Sequence, residues 1–129
     1  VLCVGETEQE RNDGRTEEVI ETQLRSALTD FSWPHDHELF IAYEPVWAIS
    51  KSGVGVSCDG LEAERTHKLI RSIASNLLNE VEFKILYGGS AKPANIDEFI
   101  KSPEIDGILV GAASTKLESW LEMTKKRLL

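Results

Sequence analysis

The chain has 129 residues, which suits one small domain or part of a larger one. It carries 14 Lys and Arg against 22 Asp and Glu, a formal charge of -8, which argues against a nucleic-acid partner or an acidic membrane surface. It contains no apolar run of the roughly 18 residues that a spanning helix needs, and no signal-peptide pattern.

Four strand-then-helix units follow one another. Val1 to Gly5 is a short apolar strand. Thr16 is an N-cap candidate, with Glu17 and Glu18 in the favourable first turn. Val19, Ile20, Leu24, Ala27 and Leu28 then recur at helical spacing. Trp33 to His37 is a loop, and Leu39 to Tyr43 is the second strand. Asp59-Gly60-Leu61-Glu62 has the outline of a capping box, and Leu69, Ile70, Ile73, Leu77 and Leu78 stripe the helix behind it. Phe83 to Tyr87 is the third strand. Pro93 suits the first turn of a short helix whose Ile96, Phe99 and Ile100 face inward. Gly107 to Val110 is the fourth strand. Leu117, Trp120, Leu121 and Leu128 stripe the last helix as core packing, and Lys125, Lys126 and Arg127 complement its C-terminal dipole. Strict alternation with continuous apolar strands predicts a parallel α/β sheet. The glycine-rich loops follow the third and fourth strands, which favours a barrel over a doubly wound sheet. A dinucleotide fingerprint is missing after the first strand. The chain opens inside an apolar run and without Met, as a piece of something longer would.

The chemistry concentrates at one strand end. The run Leu39-Phe40-Ile41-Ala42-Tyr43 delivers a lone acid, Glu44, followed by Pro45 and Trp47. A buried parallel strand with one carboxylate at its C-terminal tip is how such proteins place a base. The residues alone leave open that Glu44 is only an exposed strand-end acid. Ser50 to Gly55 has the small-residue composition of a lid. Gly88-Gly89-Ser90 and Gly111-Ala112 are either turns or phosphate cradles. An acidic protein that holds a phosphate must do so with local backbone N–H groups. Cys3 and Cys58 lack metal-ligand or redox spacing and read as reduced thiols of a cytoplasmic protein. His35, His37 and His67 form no convincing catalytic pattern.

Tyr43-Glu44-Pro45-Val46-Trp47-Ala48-Ile49 resembles the strand-six signature of the triosephosphate isomerase family. Cys3-Val4-Gly5-Glu6-Thr7 with Glu10, Arg11, Gly14 and Thr16 resembles its strand-five segment. Tyr87-Gly88-Gly89-Ser90 and Asp106-Gly107-Ile108-Leu109-Val110-Gly111-Ala112-Ala113-Ser114 resemble its strand-seven and strand-eight loops. The resemblance implies that residues 1–129 are the C-terminal half of a single (β/α)8 TIM-barrel domain, supplying its last four βα units. It implies interconversion of dihydroxyacetone phosphate and glyceraldehyde 3-phosphate, in glycolysis and gluconeogenesis, without metal or organic cofactor. Triosephosphate isomerase is itself a standard case of a Glu base, a neutral His electrophile and a closing loop. By resemblance Glu44 is the base. Ser50, Ser90, Gly111 and Ala112 bind the substrate phosphate, Trp47 and Tyr87 serve the lid, and Glu6 supports the site structurally. The electrophilic His, a Lys and an Asn belong to the family's earlier strands, as does the dimer contact. The implied partners are a small phosphosugar, the N-terminal half-barrel and a second subunit. Ser50-Lys51-Ser52, Gly53-Val54-Gly55 and Ala112 depart from the family pattern. They keep open a paralogue acting on another phosphoketose, such as erythrulose phosphate, and an inert fragment is a third reading.

Overall fold

A computed structural model of the chain describes residues 1–31, 34, 37–49, 56–79 and 81–126. The strands are β1 (Leu2–Val4), β2 (Leu39–Tyr43), β3 (Phe83–Tyr87) and β4 (Gly107–Ile108). The helices are α1 (Glu8–Asn12), α2 (Thr16–Leu28), α3 (Gly60–Leu77), α4 (Ile96–Ile100) and α5 (Leu117–Lys126). The strands form one sheet in the order β1-β2-β3-β4. Each neighbouring pair is parallel, with Val4 opposite Tyr43, Tyr43 opposite Tyr87, and Tyr87 opposite Ile108. Parallel neighbours require crossovers, and the helices supply them. No helix among the described residues is long and apolar enough to cross a membrane.

The period-two alternation of strands sorts the sheet into two faces. Leu39, Ile41, Tyr43, Ile85 and Tyr87 lie on the helix-covered face and are buried. Against them pack Ile20, Leu24 and Leu28 of α2, Ala63, Ile70 and Ala74 of α3, and Phe99 of α4. Burying each large apolar side chain is worth about 1.5–3 kcal/mol, so this layer is what holds the strand tips in place. The register puts Cys3, Ala42 and Leu86 side by side on the other face, with Phe40 beside Lys84. That face is covered only in part: Cys3 and Lys84 are exposed, Phe40 and Leu86 half-buried.

Several local expectations need correction. A helix, α1, occupies Glu8–Asn12 and carries a complete capping box between Thr7 and Glu10. Thr16 is the first residue of α2 and not its cap, which is Arg15. Asp59 does cap α3, accepting the Glu62 N–H at 2.8 Å, but the Glu62 carboxylate turns away to Arg11. Pro93 lies in the turn before α4, which begins at Ile96. The fourth strand stops at Ile108. Trp120 is not core: it is 43% exposed, with Leu117 and Leu121 exposed beside it and only Met123 of α5 buried. The sheet ends at β4, and no strand among the described residues lies beyond it to cover that stripe. Trp33, His35, Arg127 and Leu128 lie outside the described residues.

Candidate active site

Glu44 sits one residue past β2 and is held there from both sides. Its N–H donates to the Val4 carbonyl at 2.7 Å, and the Gly88 N–H donates to the Tyr43 carbonyl at 2.8 Å. These bonds continue the sheet ladder beyond the strand ends. Two glycines make the fit possible. A Cβ on Gly5 would lie 2.5 Å from the Glu44 carbonyl carbon, and a Cβ on Gly88 would lie 2.5 Å from Glu44 Cγ and 3.3 Å from Oε1. The acid therefore lies against bare backbone on the β3 side. Cys3 is its neighbour on β1. Partial burial, and then the Glu44 carboxylate accepting from the thiol, hold Cys3 above its usual range.

The backbone beyond Glu44 turns at once. Pro45 (φ -58°) leads into a 3₁₀ turn at Val46–Ala48. The Val46 N–H donates to the Glu6 carbonyl at 2.9 Å, and the Ser90 N–H donates to the Ala48 carbonyl at 3.0 Å. The turn is thus stitched to the loops after β1 and β3. Glu6 is 1% exposed, and two donors satisfy it. Tyr43 Oη donates to Oε1 and Oε2 at 3.1 and 3.2 Å, and Trp47 Nε1 donates to Oε1 at 2.8 Å. Burial, and then the Glu6 charge, push the Tyr43 hydroxyl upward, so it stays a donor. The Arg11 guanidinium covers the Trp47 ring at 4.1 Å from its centroid. It also forks onto Glu62 at 2.7 and 3.0 Å. Arg11 thereby joins the turn after Glu44 to the first turn of α3.

Two further features complete the rim. Tyr87 stacks on Phe99, with ring centroids 4.0 Å apart. Its buried hydroxyl lies under Gly89 and makes no hydrogen bond to a described residue. After β4, Gly111 precedes a second 3₁₀ turn, Ala112–Thr115, and its carbonyl accepts from the Ser114 N–H and hydroxyl. The first N–H groups of such a turn have no acceptor within it and suit an anion. Among the described residues no group of His, Cys, Asp or Glu could hold a metal ion.

The family model for triosephosphate isomerase matches residues 1–127. The chain belongs to the triosephosphate isomerase family. A triosephosphate isomerase of Nostoc punctiforme is 50% identical over 120 residues, covering 93% of this chain and 45% of the relative. One of Aquifex aeolicus is 46% identical over 125 residues, covering 95% of the chain and 49% of the relative. One of Roseiflexus castenholzii is 43% identical over 126 residues, covering 95% and 48%. The chain spans about half the length of these curated relatives.

Within that family frame, Glu44, Glu6, Trp47 and Ser90 converge at the C-terminal ends of β1, β2 and β3. Gly111 and Ala112 lie at the same end of β4. Ser50 and the rest of the expected lid tip, to Gly55, lie outside the described residues. Ala112 carries no strain, since Asp30 is the one non-glycine residue at positive φ among those described. The Ser90 N–H, expected to face a phosphate, is engaged by Ala48 here. His67 is fully buried under the sheet, Nδ1 2.7 Å from the Ala63 carbonyl, which fits a packed histidine. Burial lowers its pKa. Cys3 and Cys58 are free, and burial, with the charges of Glu62 and Asp59, pushes Cys58 up to about 12.

Sequence reasoning missed the tertiary demand on Gly5 and Gly88, because both are crowded by a residue far away in the chain. It also missed Glu62 as the partner of Arg11, for which the only signal was an acid one turn into a helix.

Proposed function

We propose that residues 1–129 are the last four βα units of a (β/α)8 barrel, and that the complete barrel is a triosephosphate isomerase. Barrels of this class commonly bind phosphate with the loops after strands seven and eight and the N-terminus of a short extra helix. The loops after β3 and β4, and the 3₁₀ turn at Ala112–Thr115, are the matching parts. The observation that carries the reading is Glu44, fixed at the tip of β2 between Gly5 and Gly88.

In the proposed reaction the Glu44 carboxylate takes a proton from the hydroxyl-bearing carbon of dihydroxyacetone phosphate. The electron pair of that C–H bond becomes the C=C bond of an enediolate, and the carbonyl oxygen takes the charge. The hydroxyl proton on the first carbon's oxygen passes to the former carbonyl oxygen, and Glu44 returns its proton to the neighbouring carbon as the C=C pair closes on it, giving glyceraldehyde 3-phosphate. An electrophile from the first half of the barrel supports the oxygen. Ser90, Gly111, Ala112 and Ser50 grip the phosphate. The orphan Tyr87 hydroxyl is the donor available to a closing lid. Neither metal nor organic cofactor takes part. The complete enzyme is a cytoplasmic homodimer in glycolysis and gluconeogenesis, and the 129 residues alone are inactive.

The test is a coupled assay of the full-length protein with both triose phosphates and with erythrulose phosphate. The triose pair should be the preferred substrate. Glu44→Asp withdraws the carboxylate by one methylene and should lower turnover by about 10²-fold, the cost of a small misplacement. Absent isomerase activity in the full-length protein, or an Asp variant with ordinary turnover, overturns the reading.

A further inference from the structure

Asn95 stands where α4 begins but does not cap it. Short polar side chains at that position ordinarily accept an N–H from the first turn. The Asn95 side chain makes no such bond. It is buried, at 9% exposure, and turned back on the preceding loop. Oδ1 accepts the Lys92 N–H at 2.9 Å. Nδ2 donates to the Ser57 hydroxyl at 2.9 Å and to the Ser90 carbonyl at 3.0 Å. The partners fix the orientation of the amide, because a backbone N–H only donates and a carbonyl only accepts.

These contacts join two separate loops. Ser90 and Lys92 follow β3, whereas Ser57 leads into α3. Ser90 is also tied to the turn after Glu44 through its N–H and the Ala48 carbonyl. Its two flanking peptides are therefore held by different groups, one by Ala48 and the other by Asn95. A ligand that takes the Ser90 N–H has to displace Ala48. The other peptide can stay where Asn95 holds it. A side chain that caps its own helix could not provide that anchor.

We propose that Asn95 is a positioning residue for the phosphate end of the substrate. It anchors the Ser90 loop to Ser57, so that the Ser90 N–H and hydroxyl meet the phosphate from a fixed place. The inference rests on the reading of Ser90 as a phosphate ligand.

The experiment uses the full-length protein with Asn95→Ala, Asn95→Asp and Ser57→Ala. Each is assayed with glyceraldehyde 3-phosphate, with glyceraldehyde lacking the phosphate, and for inhibition by inorganic phosphate. Asn95→Ala should raise KM for the phosphate ester and the inhibition constant of phosphate by about tenfold, the scale of one buried hydrogen bond. Asn95→Asp should raise them further, because it sets an acceptor against the Ser90 carbonyl and adds negative charge near the anion. Ser57→Ala should move both constants in the same direction by less. Turnover of glyceraldehyde should stay within about twofold, since it forms no phosphate contact to lose. A lower Tm with unchanged constants overturns the proposal, as does an equal loss on both substrates. If the Asn95 variants fail to fold, unchanged phosphate inhibition in Ser57→Ala overturns it. A wild-type protein that neither isomerises the ester nor binds phosphate overturns the Ser90 reading and this one with it, whereas normal wild-type activity confines any failure to Asn95.

Discussion

Gly88→Ala is the substitution on which the placement of the base bears most heavily. A methyl there would lie 2.5 Å from Glu44 Cγ, where ordinary contact begins at 3.4 Å. The two groups must separate by about 1 Å, since close packing tolerates no overlap. The backbone gives little relief, because the Gly88 N–H is bonded to Tyr43 and the Glu44 N–H to Val4. The side chain of Glu44 must therefore move. A displacement of that size costs about 10²-fold in rate, or about 2.7 kcal/mol of barrier. Overpacking should cost a further 1–3 kcal/mol or so of stability. The assay is steady-state kinetics on the full-length variant beside a urea titration. A kcat near wild type would refute the argument, because it would mean that the carboxylate need not occupy its place against Gly88.

Three other outcomes follow from the same geometry. Glu6→Leu leaves the Tyr43 hydroxyl and the Trp47 indole N–H without their acceptor. It should cost roughly 2–6 kcal/mol by urea denaturation, at about 1–3 kcal/mol for each of the two orphaned donors, and Glu6→Gln, which keeps an acceptor, should cost less. His67 has its pKa lowered by burial, so the folded state holds the neutral ring. Its contribution is complete above about pH 6.5, the free value, and is lost as pH falls below it; the fall in stability through that window should be shallower in His67→Gln when Tm is followed against pH. The 129-residue chain expressed by itself should associate, because β1 and β4 are sheet edges and Val1, Phe31, Leu117, Trp120 and Leu121 are exposed. Light scattering showing a stable monomer would contradict this.

The parts of the fold that could be read from the sequence were those with a local signal. The continuous apolar run Leu39–Tyr43 reads as a strand with packing on both sides: Leu39, Ile41 and Tyr43 are buried under the helices, while Ala42 is buried and Phe40 half-buried on the other face. The stripe Ile20, Leu24 and Leu28 fell where helical spacing put it. The Thr7-to-Glu10 box is a local signal too, but so short a helix buries nothing, and no apolar periodicity marks α1 in the sequence. Pro93 misled because proline suits both a first helical turn and a plain turn. Trp120 misled because periodicity reveals a stripe without revealing whether anything covers it. For the site, the acid at the strand tip was legible as a type of residue in a type of place. The crowding of Glu44 by Gly5 and Gly88, the Glu6 pocket and the Arg11 bridge are tertiary facts between residues about forty or more positions apart, and no local pattern encodes them.

The central claim is that Glu44 moves the proton, and solvent isotope exchange tests it most directly. The full-length protein and its Glu44→Gln variant are incubated with dihydroxyacetone phosphate in deuterium oxide and followed by proton NMR. The account predicts isomerisation with deuterium entering the substrate carbon in the wild type, and loss of both in the variant, whose amide cannot accept the proton. Deuterium entering at the wild-type rate in Glu44→Gln would contradict it.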